Sequence, residues 1–296
     1  FRKALKITNG NQTGGAGAAD TIQIVHKIEA QDIATSGWNY TSASSYITLS
    51  FWVKSSVAQE FHGFLLTNDG SAQLYSFSTG SLSADTWTKV TKTIPGNSNL
   101  TFNTDNGEGI NLRITQFTGT DKTGTITQNQ WAAFNTSIRY PNYTSTWYTT
   151  NDATFELTGV QLEAGSVATD FEHRSFGEEL LRCQRYFQIF AAPNGEYTRF
   201  GLAAASASNS VRIPIHHIVE MRSKATFSYV GGNGDYQMPG SSNGFNISQV
   251  IVENNTGSAR STVLQNGYVS VTAYQVFQFS ANGQSNNAAL LFSAEL

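Results

Sequence analysis

Hydrophobic and polar positions alternate in steps of two over most of this chain. "TIQIVHKIE" (21–29) places Ile22, Ile24 and Ile28 on one face, and "YITLSFWVK" (46–54) groups Ile47, Leu49, Phe51 and Val53 while turning Trp52 the other way. "WTKVTKTIPG" keeps Val90 and Ile94 in phase until Pro95 and Gly96 end the run. "GINLRITQF" sets Ile110, Leu112 and Ile114 against Asn111, Arg113 and Thr115. In "FELTGVQLE" the phase slips by one between Leu157 and Val160, and a β-bulge at Gly159 would restore a common face. Strands joined by long polar loops, with no crossover helices, predict an antiparallel sandwich, of which the jelly roll is the expected version.

"SFGEELLRCQRYFQ" (175–188) breaks this rhythm. Ser175 and Glu178 have capping-box spacing, Leu180, Cys183 and Phe187 recur at helical intervals, and Glu178 stands four residues before Arg182. This predicts one helix with Leu180, Leu181 and Phe187 packed and Cys183 a small buried hydrophobe. Alternation resumes in "VRIPIHHIV", "TFSYV", "SQVIVE", "YVSVTAYQVFQFS" and "AALLFSAEL". The fold class is all-β: an N-terminal jelly-roll sandwich (1–173), one short connecting helix (174–188) and a smaller C-terminal β domain (189–296). In "YVSVTAYQVFQFS", Val269, Val271 and Ala273 follow one phase while Tyr268, Tyr274, Phe277 and Phe279 load both faces. A sheet apolar on both faces needs cover on both, so a homotrimer is expected.

The composition narrows the partners. Charged residues make up 13% of the 296 and the net charge is −3, which supplies no broad attraction for a phosphate backbone, so nucleic acid is not an expected partner. The one cysteine, Cys183, excludes an internal disulfide and a cysteine-based zinc site. No apolar run reaches the roughly 18–20 residues of a membrane-spanning helix, so no membrane insertion is expected.

The succession "ITLSFWVKSS", "WTKVTKTIPG" and "TGVQLEAGSVATDFEHRSFGEELLRCQRYFQ", followed by "IVEMRSKATFSY" and a closing "FSAEL", resembles the C-terminal modules of tail fibres and related virion proteins of tailed bacteriophages. The resemblance implies a carbohydrate-binding-like jelly roll, a connecting helix and a small β domain. It also implies a virion location, and attachment to other virion proteins through a part preceding Phe1. It carries over no catalytic motif.

No enzyme signature accompanies it. Asp105 with Glu108, and Glu163 with Asp170 and Glu172, are the closest carboxylates in sequence, and solvated loop positions are the plainer account of both groups. "NTDNGEG" (103–109) has the oxygen-rich look of a calcium loop without its full spacing, so a polar turn is expected and a structural calcium stays open. His216 and His217 are adjacent in a strand and point to opposite faces, which excludes joint chelation of one ion within a chain. No metal and no cofactor is therefore expected. The candidate ligand contacts are aromatic: Trp38, Tyr40, Trp147 and Tyr148 in polar turns, alongside Tyr140 and Tyr143, with plugging of the sandwich ends as the alternative. In the C-terminal domain the Gly-rich stretch 231–245 reads as a loop of receptor-contacting length. Within it Tyr236 offers a stacking face, and Asn233, Asp235 and Gln237 supply polar partners for sugar hydroxyls. The expected function is a non-enzymatic virion fibre that recognises a host-surface glycan or lipopolysaccharide. A purely structural capsid or tail decoration, and a glycan depolymerase, are the alternatives.

Overall fold

The computed structural model describes residues 1–12, 15–191, 198–207, 210–231, 235–238, 245–247, 251–266, 276–281 and 288–295. They form two compact units, Phe1–His173 and Arg174–Glu295. Among the described residues no helix is long and apolar enough to cross a membrane.

The first unit contains β1 (Leu5–Thr8), β2 (Thr21–Glu29), β3 (Tyr46–Ser55), β4 (Glu60–Thr67), β5 (Gln73–Ser81), β6 (Thr88–Pro95) and β7 (Glu108–Thr118). The short β8 (Thr123–Gly124), β9 (Trp131–Ala133) and β10 (Tyr140–Pro141) precede β11 (Thr154–Ala164). One sheet has the order β1-β11-β3-β6 and the other β2-β7-β4-β5-β9. Taking β1 to β7 and β11 as the eight principal strands, the first sheet reads first, eighth, third, sixth, and the second reads second, seventh, fourth, fifth. That is the jelly-roll order, with β9 added at one edge. The expected core phase is observed: Ile47, Leu49, Phe51 and Val53 are buried against Ile110, Leu112 and Ile114 of the facing sheet.

The helix α1 (Ala30–Ala34) was not foreseen. It is five residues long and has no side-chain cap, so the sequence carries no start signal for it; it forms because Ala30 and Ile33 are buried. Gly109 makes room, since a Cβ there would stand 2.6 Å from the Ala30 Cα.

The bulge in β11 lies where the slip in phase puts it. Pairing with β3 shifts register between Thr158 and Gln161, and Gly159 has φ +60°, a left-handed conformation that glycine adopts without strain. Leu162 returns to the core side, opposite Leu49, whereas Val160 stands out in the bulge and is 37% exposed. Beyond β11, residues 165–173 fold back over the outer face of the first sheet. Thr48 Oγ1 donates to the Gly165 carbonyl (2.8 Å), and Glu163 accepts from the Thr169 amide (3.0 Å) and hydroxyl (2.7 Å). Gln161 Oε1 accepts from the Glu172 amide (2.9 Å). Burial acts to raise the Glu163 carboxyl, but the bonds from Thr169 and Gln161 and the charge of Lys89 outweigh it and hold it below its ordinary value.

At one end of the sandwich the turn 146–150 folds inward. Asn9 Nδ2 donates to the carbonyls of Trp147 (2.6 Å) and Thr150 (2.8 Å), and Gln59 Oε1 accepts the amides of Thr146 (3.0 Å) and Trp147 (2.9 Å). The Trp147 ring is fully buried as a result.

The second unit opens with α2 (Phe176–Gln184) and continues with β12 (Phe187–Ala191), β13 (Arg199–Ala207), β14 (Ser210–His216), β15 (Thr226–Val230), β16 (Tyr236–Met238) and β17 (Phe245–Ile247). β18 (Ile251–Gly257), β19 (Ser261–Asn266), β20 (Val276–Ala281) and β21 (Ala289–Ser293) complete it. The sheets are β12-β21-β15 and β17-β16-β20-β13-β14-β19-β18, and both contribute to one core. Ser175 caps α2 by accepting the Glu178 amide (3.2 Å), and Glu178 reaches Arg182 (3.6 Å). Two side-chain expectations fail here. Leu180, Leu181 and Phe187 are 43%, 52% and 39% exposed, and Cys183 is exposed. The group that is buried at the end of the helix is an amide: Gln188 donates to the carbonyls of Gln184 and Val219 (both 3.0 Å) and accepts the Ile218 amide (2.8 Å). Arg222 adds bonds to the carbonyls of Ala294 (2.7 Å) and Glu295 (3.0 Å), beside the backbone bond from Arg222 to the Arg185 carbonyl (2.8 Å). The stretches "CQRYFQ", "EMRSK" and "FSAEL" thus meet at one junction.

The long strand expected to be apolar on both faces is one-sided where it is described. Phe277 and Phe279 are buried, while Val276 is 65% exposed and Gln278 faces out. Val269, Val271, Ala273, Tyr268 and Tyr274 lie outside the described residues.

Two outcomes follow from these contacts. Gln59→Ala should lower unfolding stability by about 1 kcal/mol, because the part-buried amide of Trp147 and the surface amide of Thr146 lose their acceptor; a denaturation curve superimposed on that of the unaltered chain would contradict the clamp. The strap over residues 165–173 should be held above the ordinary carboxylate range and released as pH falls through the lowered Glu163 value, since protonation removes the acceptor. Hydrogen exchange of the Thr169 amide against pH checks this, and Glu163→Gln should abolish the acid dependence.

Candidate functional site

Because β3 alternates, burying Phe51 and Val53 turns Trp52 and Lys54 to the outer face of the first sheet. Trp52 lies opposite Thr158 on β11 and Lys89 on β6, next to the Gly159 bulge. Trp87, just before β6, is 38% exposed, and Lys54 Nζ stands 5.3 Å from its ring centre while also pairing with Glu156 (3.0 Å). Between the two indoles runs a groove of about 460 Å³, lined also by Glu156, Thr158 and residues 1–4. A second hollow of about 370 Å³ adjoins it across Trp52, lined by Ser50, Lys89, Thr169, Asp170, Phe171 and His173 among others. The strap brings Phe171 and His173 there, with ring centres 5.1 Å apart. Flat aromatic faces beside a lysine, carboxylates and hydroxyls suit a sugar, whose ring stacks by its apolar face and whose hydroxyls need both donors and acceptors.

The sequence-derived ligand residues sit elsewhere, and most are packed. Trp38 is 4% exposed, with its indole N–H donating to the Ser45 carbonyl (3.2 Å), and Tyr40 is half-buried edge-on to Phe102. Trp147 is held inside by Asn9 and Gln59, and the half-buried Tyr148 stacks on Phe117 at 4.3 Å. Tyr140 is 1% exposed, packed on Phe64. Tyr236 cannot serve as a stacking anchor, because it is 1% exposed, lies nearly parallel to Phe279 (5.9 Å) and points its hydroxyl at the carbonyls of Val230 (2.6 Å) and Ala289 (2.9 Å). Burial raises its pKa. The stretch 231–245 is also not one open loop, since Tyr236–Met238 is a strand paired with β20 and β17. Asp235 and Gln237 are half-buried beside it, and Asn233 lies outside the described residues.

Three of the carboxylates noted for possible catalysis have structural partners, while Asp170 lines the second hollow. Asp105 accepts its own loop's Gly107 amide (2.9 Å), Glu108 pairs with Lys27 (2.8 Å), and Glu163 fastens the strap. His217 packs on Phe292, and burial lowers its pKa, while His216 is exposed. Among the described residues no group of three or more His, Cys, Asp or Glu could hold a metal ion. The signal for the groove was present in the sequence as a tryptophan on the polar phase of a strand, at Trp52.

No family model matches this chain, and no curated protein matches it. Among solved structures it is similar to PBSX exported protein XepA, at 8% identity and a TM-score of 0.19 over 97% of this chain and 85% of that one. It is also similar to a protein of Parabacteroides distasonis described as secreted, at 10% identity and a TM-score of 0.22 over 98% of this chain and 88% of the other.

Proposed function

We propose that this chain is a non-enzymatic tail-fibre or related virion surface protein of a tailed bacteriophage, and that it binds a host-surface glycan in the groove between Trp52 and Trp87. The observation that carries the binding role is this pair of outward indoles, joined by Lys54 and Glu156 on an otherwise polar sheet face. The phage assignment rests on the resemblance of the segment 158–188 and the junction motifs. The groove replaces the stretch 231–245 as the place of contact, because Tyr236 belongs to the core of the second unit. The homotrimer is part of the same proposal. Its support in the second unit is apolar surface left open on α2, at Phe176 and Leu181, and on the outer face of the larger sheet, at Leu202 and Val276.

Purified chain should bind host cells or extracted surface polysaccharide without shortening the glycan. Trp52→Ala should weaken that binding by about 1–3 kcal/mol while leaving the unfolding curve in place. Full binding by Trp52→Ala would move the site, no binding by the unaltered chain would favour the structural decoration, and release of reducing ends would favour the depolymerase. Sedimentation at micromolar concentration should give three times the 32.2 kDa chain mass, and a monomer would contradict the trimer.

A further inference from the structure

The second sheet of the jelly roll also has a covered outer face. The connection from β7 to β11, residues 119–153, lies over it and packs Phe134, Tyr140 and Tyr143 against Phe64, Leu66 and Leu74. The strand register places His62 and Phe64 of β4, Arg113 and Thr115 of β7, and Ser76 of β5 on this face. Under the connection, His62 Nε2, Ser76 Oγ, Gln116 Oε1 and Arg139 Nε are sealed from solvent without a hydrogen-bond partner. Native interiors leave few such atoms, and each calls for a reason.

Most of these atoms can donate. Gln128 Nε2 meets His62 Nδ1 at 3.1 Å; with the amide nitrogen donating, Nδ1 accepts and the ring proton sits on Nε2. Burial lowers the His62 pKa, opposed by Glu60, so the neutral ring with a donating Nε2–H is favoured. Arg139 Nε–H is a donor, and the Ser76 hydroxyl can act as one. The Tyr143 hydroxyl accepts the Thr118 amide (3.0 Å), and burial pushes its pKa up to about 12, so it keeps a proton to give. Among the described residues neither Arg113 nor Arg139 is paired with a carboxylate. Arg113 reaches Asn111 (3.2 Å) and lies over Phe64, and Arg139 lies over Phe134. Burial lowers the Arg139 pKa, and the nearby charge of Arg113 lowers it further. Two half-buried guanidinium groups, near enough for the charge of one to act on the other, share this face with the spare donors, an arrangement short of one component, an acceptor carrying negative charge.

We infer that this covered face is an oxyanion site, taking a carboxylate or phosphate group between Arg113, Arg139 and the donors of His62 and Ser76. It is separate from the Trp52 groove, which lies on the outer face of the other sheet. Isothermal titration of the full chain with galacturonate, inorganic phosphate and neutral galactose, at constant ionic strength, tests it. Saturable binding of galacturonate or phosphate but not galactose is expected, and whichever of the two binds names the source of the anion. Arg139→Gln should weaken binding about tenfold, because a charge-assisted contact is lost, and Trp52→Ala should leave it unchanged. Should Arg139→Gln fail to fold, Arg113→Gln gives the same reading. If neither oxyanion binds, or both bind the folded arginine variants as tightly as the unaltered chain, the donors are satisfied by buried water and the inference is overturned.

Discussion

The antiparallel pairing of β3 between β11 and β6 is the constraint on which the rest of the first unit depends. Side chains on a strand alternate strictly, so committing Leu49, Phe51 and Val53 to the core leaves Ser50, Trp52 and Lys54 no choice but the outer face. The bulge at Gly159 shifts the register of β11 against β3 by one residue, so that Leu162 again faces Leu49, and bends the strand beside Trp52. The chain beyond β11 then returns across the same face, fastened at Thr48, Gln161 and Glu163, and lines the adjoining hollow with Phe171 and His173. A large aromatic ring that the core excludes becomes one wall of a surface groove.

Period and punctuation were legible in the sequence because they are local. The inward phases of β3, β6 and β7, the slip at Gly159 and the Ser175 cap all arise from neighbouring residues and the backbone they share. What the sequence does not carry is which polar turns fold inward. Trp147 sits in "TSTWYTT", as polar a setting as any exposed turn, and is buried because Asn9 and Gln59, remote in the chain, satisfy its backbone. Tyr236 is similar: its hydroxyl finds the carbonyl of Val230 at the end of the preceding strand and that of Ala289 on the distant β21, which makes a residue with the look of a surface anchor a member of the core. Polar context marks a residue as needing hydrogen bonds and is silent on whether water provides them.

The segment with the strongest motif has two structural roles. Its first half is the bulged strand and strap, and its second half ends in Gln188, whose buried amide joins the end of α2 to residues 218–219 while Arg222 ties in the carbonyls of Ala294 and Glu295. A motif whose polar groups are consumed by backbone bonds specifies architecture.

The central claim, that ligand is held by the two outward indoles, is tested most directly by fluorine NMR of the fluorotryptophan-labelled chain titrated with host-surface polysaccharide. The chain has 5 tryptophans, of which Trp38, Trp131 and Trp147 are buried. The account predicts that the signals of Trp52 and Trp87, assigned by single substitution, shift and saturate together while the three buried ones stay in place. Saturable binding that leaves Trp52 and Trp87 unmoved would contradict it.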